Sequence, residues 1–213
     1  LNEGLVKVVL DADDDLAVDN TAWLVLKEPK RVRTLVVTDG NYFLELAAQK
    51  DPMCSPVFKT PAAYEADARS GAAVMTDYDL AIFDRYAPPA LPAGAHLFLG
   101  ALPPLPGFAS DGEAKDPAVV DWAAAHPVNQ YLNYSYLFIE SALKMRGPDD
   151  AAALVEGDAG PLVLGWTSPQ HRVIVVGFDL FASRWPLRVS FPVFLANAIR
   201  YLGGIQTSGS EAM

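Results

Sequence analysis

The sequence predicts an α/β domain with a mostly parallel central sheet, covered by helices on both faces in three layers and preceded by a β appendage. Two observations carry this prediction. Short apolar runs such as 32–40, VRTLVVTDG, have the length and composition of strands buried on both faces, and they alternate with segments of helical pattern. The stretch 161–204 adds two further apolar runs and an amphipathic helix.

The stretch 161–204 is the most informative part of the chain. Its runs 161–166 and 172–178 are rich in Val, Leu and Ile, and the turn-forming sequence TSPQ between them predicts a β-hairpin. Ser190 is predicted to cap the last helix, which Gly203-Gly204 then ends. One face of this helix carries its apolar residues: Phe191, Phe194, Leu195, Ala198, Ile199 and Leu202.

The remaining elements follow from the same patterns. Residues 1–30 form the appendage, with strands at 5–10 and 21–27 joined by the acidic sequence DADDDLAVDN. From residue 31 we predict strands and helices in alternation: a strand at 32–40, a helix at 42–50, strands at 56–59, 76–86 and 96–100, and a helix at 61–69 between the second and third strands.

The middle of the chain is harder to assign. Residues 101–117 are rich in Pro and Gly and are predicted to be a loop. Residues 118–150 fit both helical and extended structure, with Pro127 as a break, and LFIESALKM within them fits a strand or a short helix. A further strand is predicted near 152–156.

Composition excludes some classes of function. The net charge of −10 and the pI near 4.6 argue against nucleic-acid binding, since a phosphate-binding surface needs clustered Lys and Arg. The one basic cluster, KEPKRVR at 27–33, is interpreted as a solvated connector. The single cysteine, Cys54, excludes an internal disulfide, and no apolar run approaches the ~20 residues of a membrane helix.

The segment GFDLFASRWPLRVSFPVFLANAIRYL, at 177–202, resembles a segment that closes a domain of one protein family, "GFDL…S.WPLR.SFPVFL.NA..YL". That family is the class I glutamine amidotransferase-like domain of Bat-type aerotolerance proteins, which are membrane proteins with a von Willebrand factor A domain. The resemblance is strong at 161–204 and 33–45 and weak at 100–150. It implies a flavodoxin-like fold at 31–204.

The same resemblance implies a larger context. In the family a similar "D…DN.A..VL" segment ends a β-sandwich ahead of the α/β domain, so residues 1–30 are expected to be such a remnant. Residues 205–213 are expected to be a flexible tail. The chain starts at Leu1 rather than Met, and we expect it to be a soluble piece of a membrane-anchored parent, with the side of the membrane open.

Ligands of open α/β sheets bind beyond the carboxyl ends of the strands, where the strand order switches. The polar and glycine residues at those ends are therefore the candidate crevice: Thr38, Asp39, Gly40, Asn41, Asp84, Arg85, Gly100 and Asp179. An anion could sit at the start of the helix after Gly40. The simpler interpretation, which we prefer, is that Asp39 and Asn41 only cap that helix and Gly40 supplies a positive φ.

Glutamine amidotransferases need a cysteine at a tight turn between a strand and a helix, together with a His and an acidic residue. The corresponding turn here follows HLFLG at 96–100, where Ala101 offers no nucleophile and the prolines from Pro103 to Pro106 oppose a helix. Cys54 precedes a predicted strand and is interpreted as a buried, inert thiol. The sequence therefore predicts no catalytic residue.

The histidines at 96, 126 and 171 are scattered and predict no metal site. His126 resembles a crevice residue, because trehalose-utilisation-type proteins of this fold carry a similar His-Pro step, although a simple turn is the preferred interpretation. The acidic loop at 11–20 has the first spacings of a calcium loop but lacks its Gly and Glu, so we favour a solvated loop. Five aromatic residues in the second half of the chain are predicted to pack the core or its rim: Trp122, Trp166, Phe178, Phe181 and Trp185.

The leading hypothesis is a non-catalytic domain that binds protein partners or other domains of its parent, with no cofactor and no nucleic acid. One alternative is a hydrolase or sugar-handling enzyme that uses Asp39, Asp84, His126 or Asp179 as acid and base, provided that these side chains converge. Another is a small-molecule sensor in the same crevice. The side chains that enter the crevice discriminate among the three.

Overall fold

A computed structural model describes residues 4–10, 20–26, 30–70 and 75–205. The chain divides into two compact units, Leu1–Lys30 and Arg31–Met213. In the first unit, strand β1 (Gly4–Val9) pairs antiparallel with β2 (Thr21–Leu26), which confirms the two predicted strands. Residues 11–19 of the predicted acidic connection (11–20) and residues 206–213 of the predicted tail (205–213) lie outside the described residues.

The second unit alternates strands and helices in its first half and adds further strands after that. The strands are β3 (Val32–Val37), β4 (Cys54–Lys59), β5 (Leu80–Asp84), β6 (Gly94–Leu99), β7 (Ala109–Lys115), β8 (Val119–Trp122), β9 (Ser141–Arg146), β10 (Ala152–Gly157), β11 (Gly160–Thr167) and β12 (His171–Val176). The helices are α1 (Tyr42–Lys50), α2 (Pro61–Arg69) and α3 (Ser190–Leu202), with short 3-10 turns at Pro127–Asn129, Leu180–Ala182 and Trp185–Leu187.

Eight of these strands form the central sheet in the order β4-β3-β5-β6-β12-β11-β10-β8. The first five are mutually parallel, and the last three join by antiparallel pairing. Counted along the chain, the parallel strands lie in the order second, first, third, fourth, fifth, which is the flavodoxin-like order. The predicted fold class is confirmed, and the predicted hairpin is the β11–β12 pair.

Alternate residues of the buried strands face two separate cores, one on each side of the sheet. Leu44 and Ala48 of α1 share one core with the buried face of α3 and with residues such as Ile82. Tyr64 of α2 packs in the other core, against Phe83 among others. Helices therefore cover both faces, and β5 is buried along its whole length.

Helix α3 is held to the sheet through Trp185. All six residues predicted for its apolar face are buried, which confirms that prediction. Trp185 is fully buried too, as predicted, with its ring 4.8 Å from that of Phe194 and 5.5 Å from that of Phe178 between ring centroids. The predicted Ser190 cap is wrong: Val189 is the N-cap residue, and Ser190 Oγ instead accepts a hydrogen bond from Trp185 Nε1 at 3.1 Å.

The middle of the chain differs from the prediction in two places. Within the predicted loop 101–117, residues 109–115 form β7, which pairs with β9 in a two-stranded sheet of its own. Strand β7 is exposed at every position except Ala114, so it has no alternation of apolar residues to reveal it. The helical alternative for 118–150 is wrong, since Pro127 starts a 3-10 turn between two strands rather than breaking a helix.

The environment of Trp185 predicts a large loss of stability on truncation. We expect Trp185→Ala to lower the free energy of unfolding by about 3–5 kcal/mol, because a fully buried ring and its hydrogen bond to Ser190 are both lost. Leu187→Ala, two residues away and exposed, should stay within about 0.5 kcal/mol of the original chain. Urea denaturation followed by tryptophan fluorescence and circular dichroism measures both, and equal midpoints would contradict this packing.

Candidate functional site

The candidate site lies where the strand order switches, between β3 and its neighbour β5. Thr38 follows the last residue of β3, and Asp84 is the last residue of β5. Because the two strands are parallel, their carboxyl ends meet at the same edge of the sheet. This edge is where open α/β sheets bind ligands.

Asp84 is the centre of the site, and its side chain is inaccessible to solvent. Its Oδ2 accepts a hydrogen bond from Thr38 Oγ1 at 2.7 Å, and its Oδ1 accepts one from Asn41 Nδ2 at 3.1 Å. Burial raises the pKa of Asp84, while these two hydrogen bonds and the nearby Arg85 oppose that rise. The chain itself therefore occupies both oxygens of this carboxylate.

The turn after β3 is organised around the same carboxylate. Asn41 caps α1, with its Oδ1 accepting a hydrogen bond from the Leu44 N–H at 3.2 Å, while its amide Nδ2 reaches Asp84. Gly40 has a φ of +109°, and its N–H donates to Thr38 Oγ1 at 3.1 Å. Asp39 is exposed and makes no side-chain hydrogen bond within the described part of the chain. The capping role predicted for Asn41 and the positive φ predicted for Gly40 are confirmed, and the capping role predicted for Asp39 is wrong.

Arg85 covers the cluster from the solvent side. It has a φ of +53°, a left-handed conformation that costs energy for a residue with a Cβ. Its guanidinium donates to the Gly40 carbonyl at 3.3 Å and lies 3.5 Å from Asp84 Oδ2 and 3.9 Å from Asp179 Oδ1. It also stacks over the Phe181 ring, 4.9 Å from the ring centroid. Arg85 therefore ties together the segments after β3, β5 and β12.

Gly100 occupies the turn after β6, where an amidotransferase would place its nucleophile. Gly100 has a φ of +67°, and a Cβ there would lie 3.1 Å from Asp179 Cα. Asp179 in turn caps the 3-10 turn Leu180–Ala182 by accepting a hydrogen bond from the Phe181 N–H at 2.9 Å. The backbone of Asp179 thus fills the space into which a side chain at 100 would project, and the next residue is Ala101.

His126 lies at the other end of the sheet from this cluster. Its ring packs against Tyr201, with 4.8 Å between the ring centroids, and its Nδ1 accepts a hydrogen bond from the Val128 N–H at 3.3 Å. The Tyr201 carbonyl accepts a hydrogen bond from Arg172, near the start of β12, so this end carries the amino termini of the parallel strands. The structure therefore does not bring His126 together with Asp84 and Asp179.

Cys54 and His96 are also remote from the carboxyl ends. Cys54 is the buried first residue of β4, and burial raises the pKa of its thiol, which keeps it protonated. His96 is fully buried near the start of β6, with a ring nitrogen 2.9 Å from the Pro92 carbonyl, and burial lowers its pKa to about 4. Among the described residues, no three His, Cys, Asp or Glu side chains form a group that could hold a metal ion.

A surface of exposed aromatic and basic residues lies beside the cluster and was missed in the sequence. Phe181, which Arg85 covers, is half exposed, and the segments around it carry further exposed aromatic residues and arginines. The sequence signal was present: LFASRWPLRVS places Arg184 and Arg188 four residues apart in an acidic chain. The apolar pattern of that stretch predicts only the residues that pack inward and carries no information on its exposed face.

Solved structures share this fold at low sequence identity. A ThuA-like protein from Parabacteroides merdae superposes with a TM-score of 0.55 at 13% identity, over 85% of this chain and 93% of that one. A GMP synthase subunit from Thermoplasma acidophilum gives a TM-score of 0.51 at 9% identity, over 82% and 95%. This chain has a glutamine amidotransferase-like α/β fold.

A third similar structure is a cytoplasmic protein from Salmonella typhimurium LT2, with a TM-score of 0.57 and 11% identity over 94% of this chain and 96% of that one. No protein-family model and no curated protein matches the sequence. At these identities the structures establish the amidotransferase-like fold and leave the function to be argued from the site.

The contacts of Asp84 predict that it stabilises the domain. Asp84→Ala should lower the free energy of unfolding by about 1–3 kcal/mol for each buried donor it leaves unpaired, namely Thr38 Oγ1–H and Asn41 Nδ2–H. Asp39→Ala removes an equal charge from an exposed position and should change stability by less than about 0.5 kcal/mol. Urea titrations at neutral pH measure both, and similar midpoints for the two variants would show that the cluster is not structural.

The raised pKa of Asp84 also predicts the direction in which the stability of the domain changes with pH. The folded state holds the Asp84 proton at a higher pH than the unfolded state does, so this group contributes most to stability below its unfolded pKa. Its contribution falls as the pH rises from that value through the folded pKa. In Asp84→Asn this part of the pH dependence of unfolding should disappear, and a persistent identical slope would assign it to another group.

Proposed function

We propose that this chain is a non-catalytic amidotransferase-like domain that acts as a binding or scaffolding module of a larger, membrane-anchored protein. One observation carries the proposal. Asp84, the carboxylate at the centre of the strand-order switch, is inaccessible to solvent and has both oxygens occupied by Thr38 and Asn41. A general acid or base must reach a proton on a substrate, and this group reaches only its own chain.

The neighbouring positions support the same proposal. The turn that follows β6 offers Gly100 and Ala101 in place of a nucleophile, and the backbone of Asp179 stands against it. Arg85 is engaged by Gly40, Asp84 and Asp179 rather than held free for a substrate anion. With His126 at the opposite end of the sheet, the hydrolase alternative lacks the convergence of side chains that it requires.

The membrane-anchored parent is proposed from the C-terminal segment. The residues that resemble the closing segment of Bat-type domains include Trp185 and five of the six apolar residues of α3, all but Ile199, and these residues are buried against the core. Among the helices that the structure describes, none has the length and apolar character needed to cross a bilayer. In this proposal the anchor belongs to other parts of the parent protein.

Two measurements test this proposal. Purified protein of residues 1–213 is expected to release no glutamate from glutamine, and to cleave no chromogenic ester or glycoside, beyond the rate of a heat-denatured sample. In the source cells, the full-length protein is expected in the membrane pellet after an alkaline wash. The non-catalytic assignment would be overturned by turnover that is lost in Asp84→Asn or Cys54→Ala and retained in Asp39→Asn. The membrane anchor would be overturned by full-length protein that appears in the washed supernatant.

A further inference from the structure

A patch of exposed apolar residues and arginines lies on the segments that run from 136 to 138 and from 184 to 189. We call it the arginine–aromatic surface, and its members are Tyr136, Phe138, Arg184, Leu187, Arg188 and Val189. All six are exposed, with Tyr136 at 81% and Val189 at 80% of their full accessible area. Groups of large, exposed apolar side chains often mark sites of protein interaction.

The backbone holds the two segments together, so the patch is a defined surface. The Arg184 N–H donates to the Phe138 carbonyl at 3.0 Å, and Ile139 forms an antiparallel bridge with Ser183. The Arg184 guanidinium stacks over the Phe138 ring, 5.1 Å from its centroid. Trp185 lies between the two arginines in the sequence, and its buried ring anchors this segment to the core. The surface is therefore presented on a rigid support.

Its two arginines have no carboxylate partners within the described part of the chain. Arg33, Arg85, Arg146 and Arg200, by contrast, each lie within 4.0 Å of an aspartate oxygen. Arg69 and Arg172 likewise have no carboxylate partner among the described residues, so what distinguishes Arg184 and Arg188 is their place beside exposed apolar side chains. The acidic groups closest in sequence are Glu140, which is exposed, and Asp179, which faces Arg85. The arginine–aromatic surface thus offers two cations to an incoming anion.

A pocket with a volume of about 140 Å³ lies at one end of the surface and is lined by Asn133, Tyr136, Leu137, Arg188 and Ser190. Leu137 and Tyr136 contribute apolar groups to its lining, and Arg188 contributes a positively charged side chain. Ser190 Oγ accepts from Trp185 Nε1, which leaves the Ser190 hydroxyl proton to be donated. This combination suits an apolar side chain that has a carboxylate beside it.

We infer that the arginine–aromatic surface binds an acidic peptide segment of a partner protein. An apolar or aromatic side chain of that segment enters the pocket, and flanking carboxylates pair with Arg184 and Arg188. Tyr, Phe and Arg are the residues enriched where protein partners bind, and two arginines on an acidic chain are too few to hold a nucleic-acid backbone. The inference rests on the proposed role as a binding module and names the chemistry of its partner.

Selection from a display library of short random peptides tests this inference without presuming a sequence. The library is first selected for binding to the original protein. The enriched peptides are then tested for binding to a double variant, Arg184→Gln with Arg188→Gln. The matched control is Arg69→Gln with Arg146→Gln, which removes the same charge from exposed sites elsewhere. We expect enriched peptides in which Asp or Glu flanks an aromatic or large aliphatic residue.

Fluorescence anisotropy of one enriched, labelled peptide then gives the affinities. The Arg184/Arg188 double variant should bind it about tenfold or more weakly, the control should bind like the original protein, and added salt should weaken binding. Tyr136→Ala should weaken binding as well, by loss of the pocket wall. No enrichment, enrichment without acidic residues, or equal binding by the two double variants would overturn the inference.

The other outcomes remain distinguishable. Peptides that bind elsewhere on the domain would overturn the acidic-segment inference and leave the binding module in place. Concentration-dependent dimerisation in sedimentation, abolished by the Arg184/Arg188 variant alone, would identify a second copy of the chain as the occupant and overturn the inference. Catalytic turnover that depends on Asp84 would instead overturn the proposed non-catalytic function, regardless of the peptide-binding results.

Discussion

The buried carboxylate of Asp84 is the interaction on which the carboxyl edge of the sheet depends. It joins the end of β5 to the turn after β3 through Thr38 and Asn41, and Asn41 in turn starts helix α1. Arg85 extends the connection to Asp179 and to the segment that follows β12. A charged group is tolerated without solvent only when hydrogen bonds replace its hydration, and here the turns beside it supply them.

A second constraint is the burial of Trp185, which determines which residues of the 184–189 segment are exposed at the same edge of the sheet. The indole is enclosed by Phe178, Phe191 and Phe194, and its N–H is satisfied by Ser190. While Trp185 points inward, Arg184 and Leu187 of the same segment are exposed. The inner face of this segment therefore stabilises the domain, while its outer face is exposed to solvent. A fold that carries chemistry in some proteins can serve in this way as a support for a surface.

The parts of the fold that were predictable are those in which apolar periodicity and burial agree. For helix α3, every residue predicted for the buried face is buried. The β11–β12 hairpin followed from two apolar runs and a turn sequence. Strand β7 was not predictable, because its pairing with β9 satisfies the backbone while nearly all of its side chains face water. Ser190 shows the same limit for a single residue, since a tertiary partner, Trp185, takes the hydroxyl that local sequence assigned to a cap.

The candidate site was predictable in its position but not in its content. The rule for strand ends placed Asp84, Arg85, Asn41 and Asp179 at one edge, and the structure brings them within contact of one another. The rule does not tell whether such side chains face a ligand or one another, because that depends on distances between segments far apart in sequence. His126 illustrates this, as its place beside Tyr201 is set by the course of the chain between β8 and β9.

If the Asp84 cluster is a closed structural connection rather than a reaction centre, its protons are shielded from solvent. Hydrogen exchange of side-chain amide protons, followed by NMR, measures this directly, because Asn41 Nδ2 donates to Asp84 inside the cluster while Asn133 is exposed and serves as an internal reference. We expect the Asn41 amide protons to exchange far more slowly than those of Asn133, and added glutamine or sugars to leave both rates unchanged. Exchange at Asn41 as fast as at Asn133, or a rate that responds to such a small molecule, would show instead an open and responsive site.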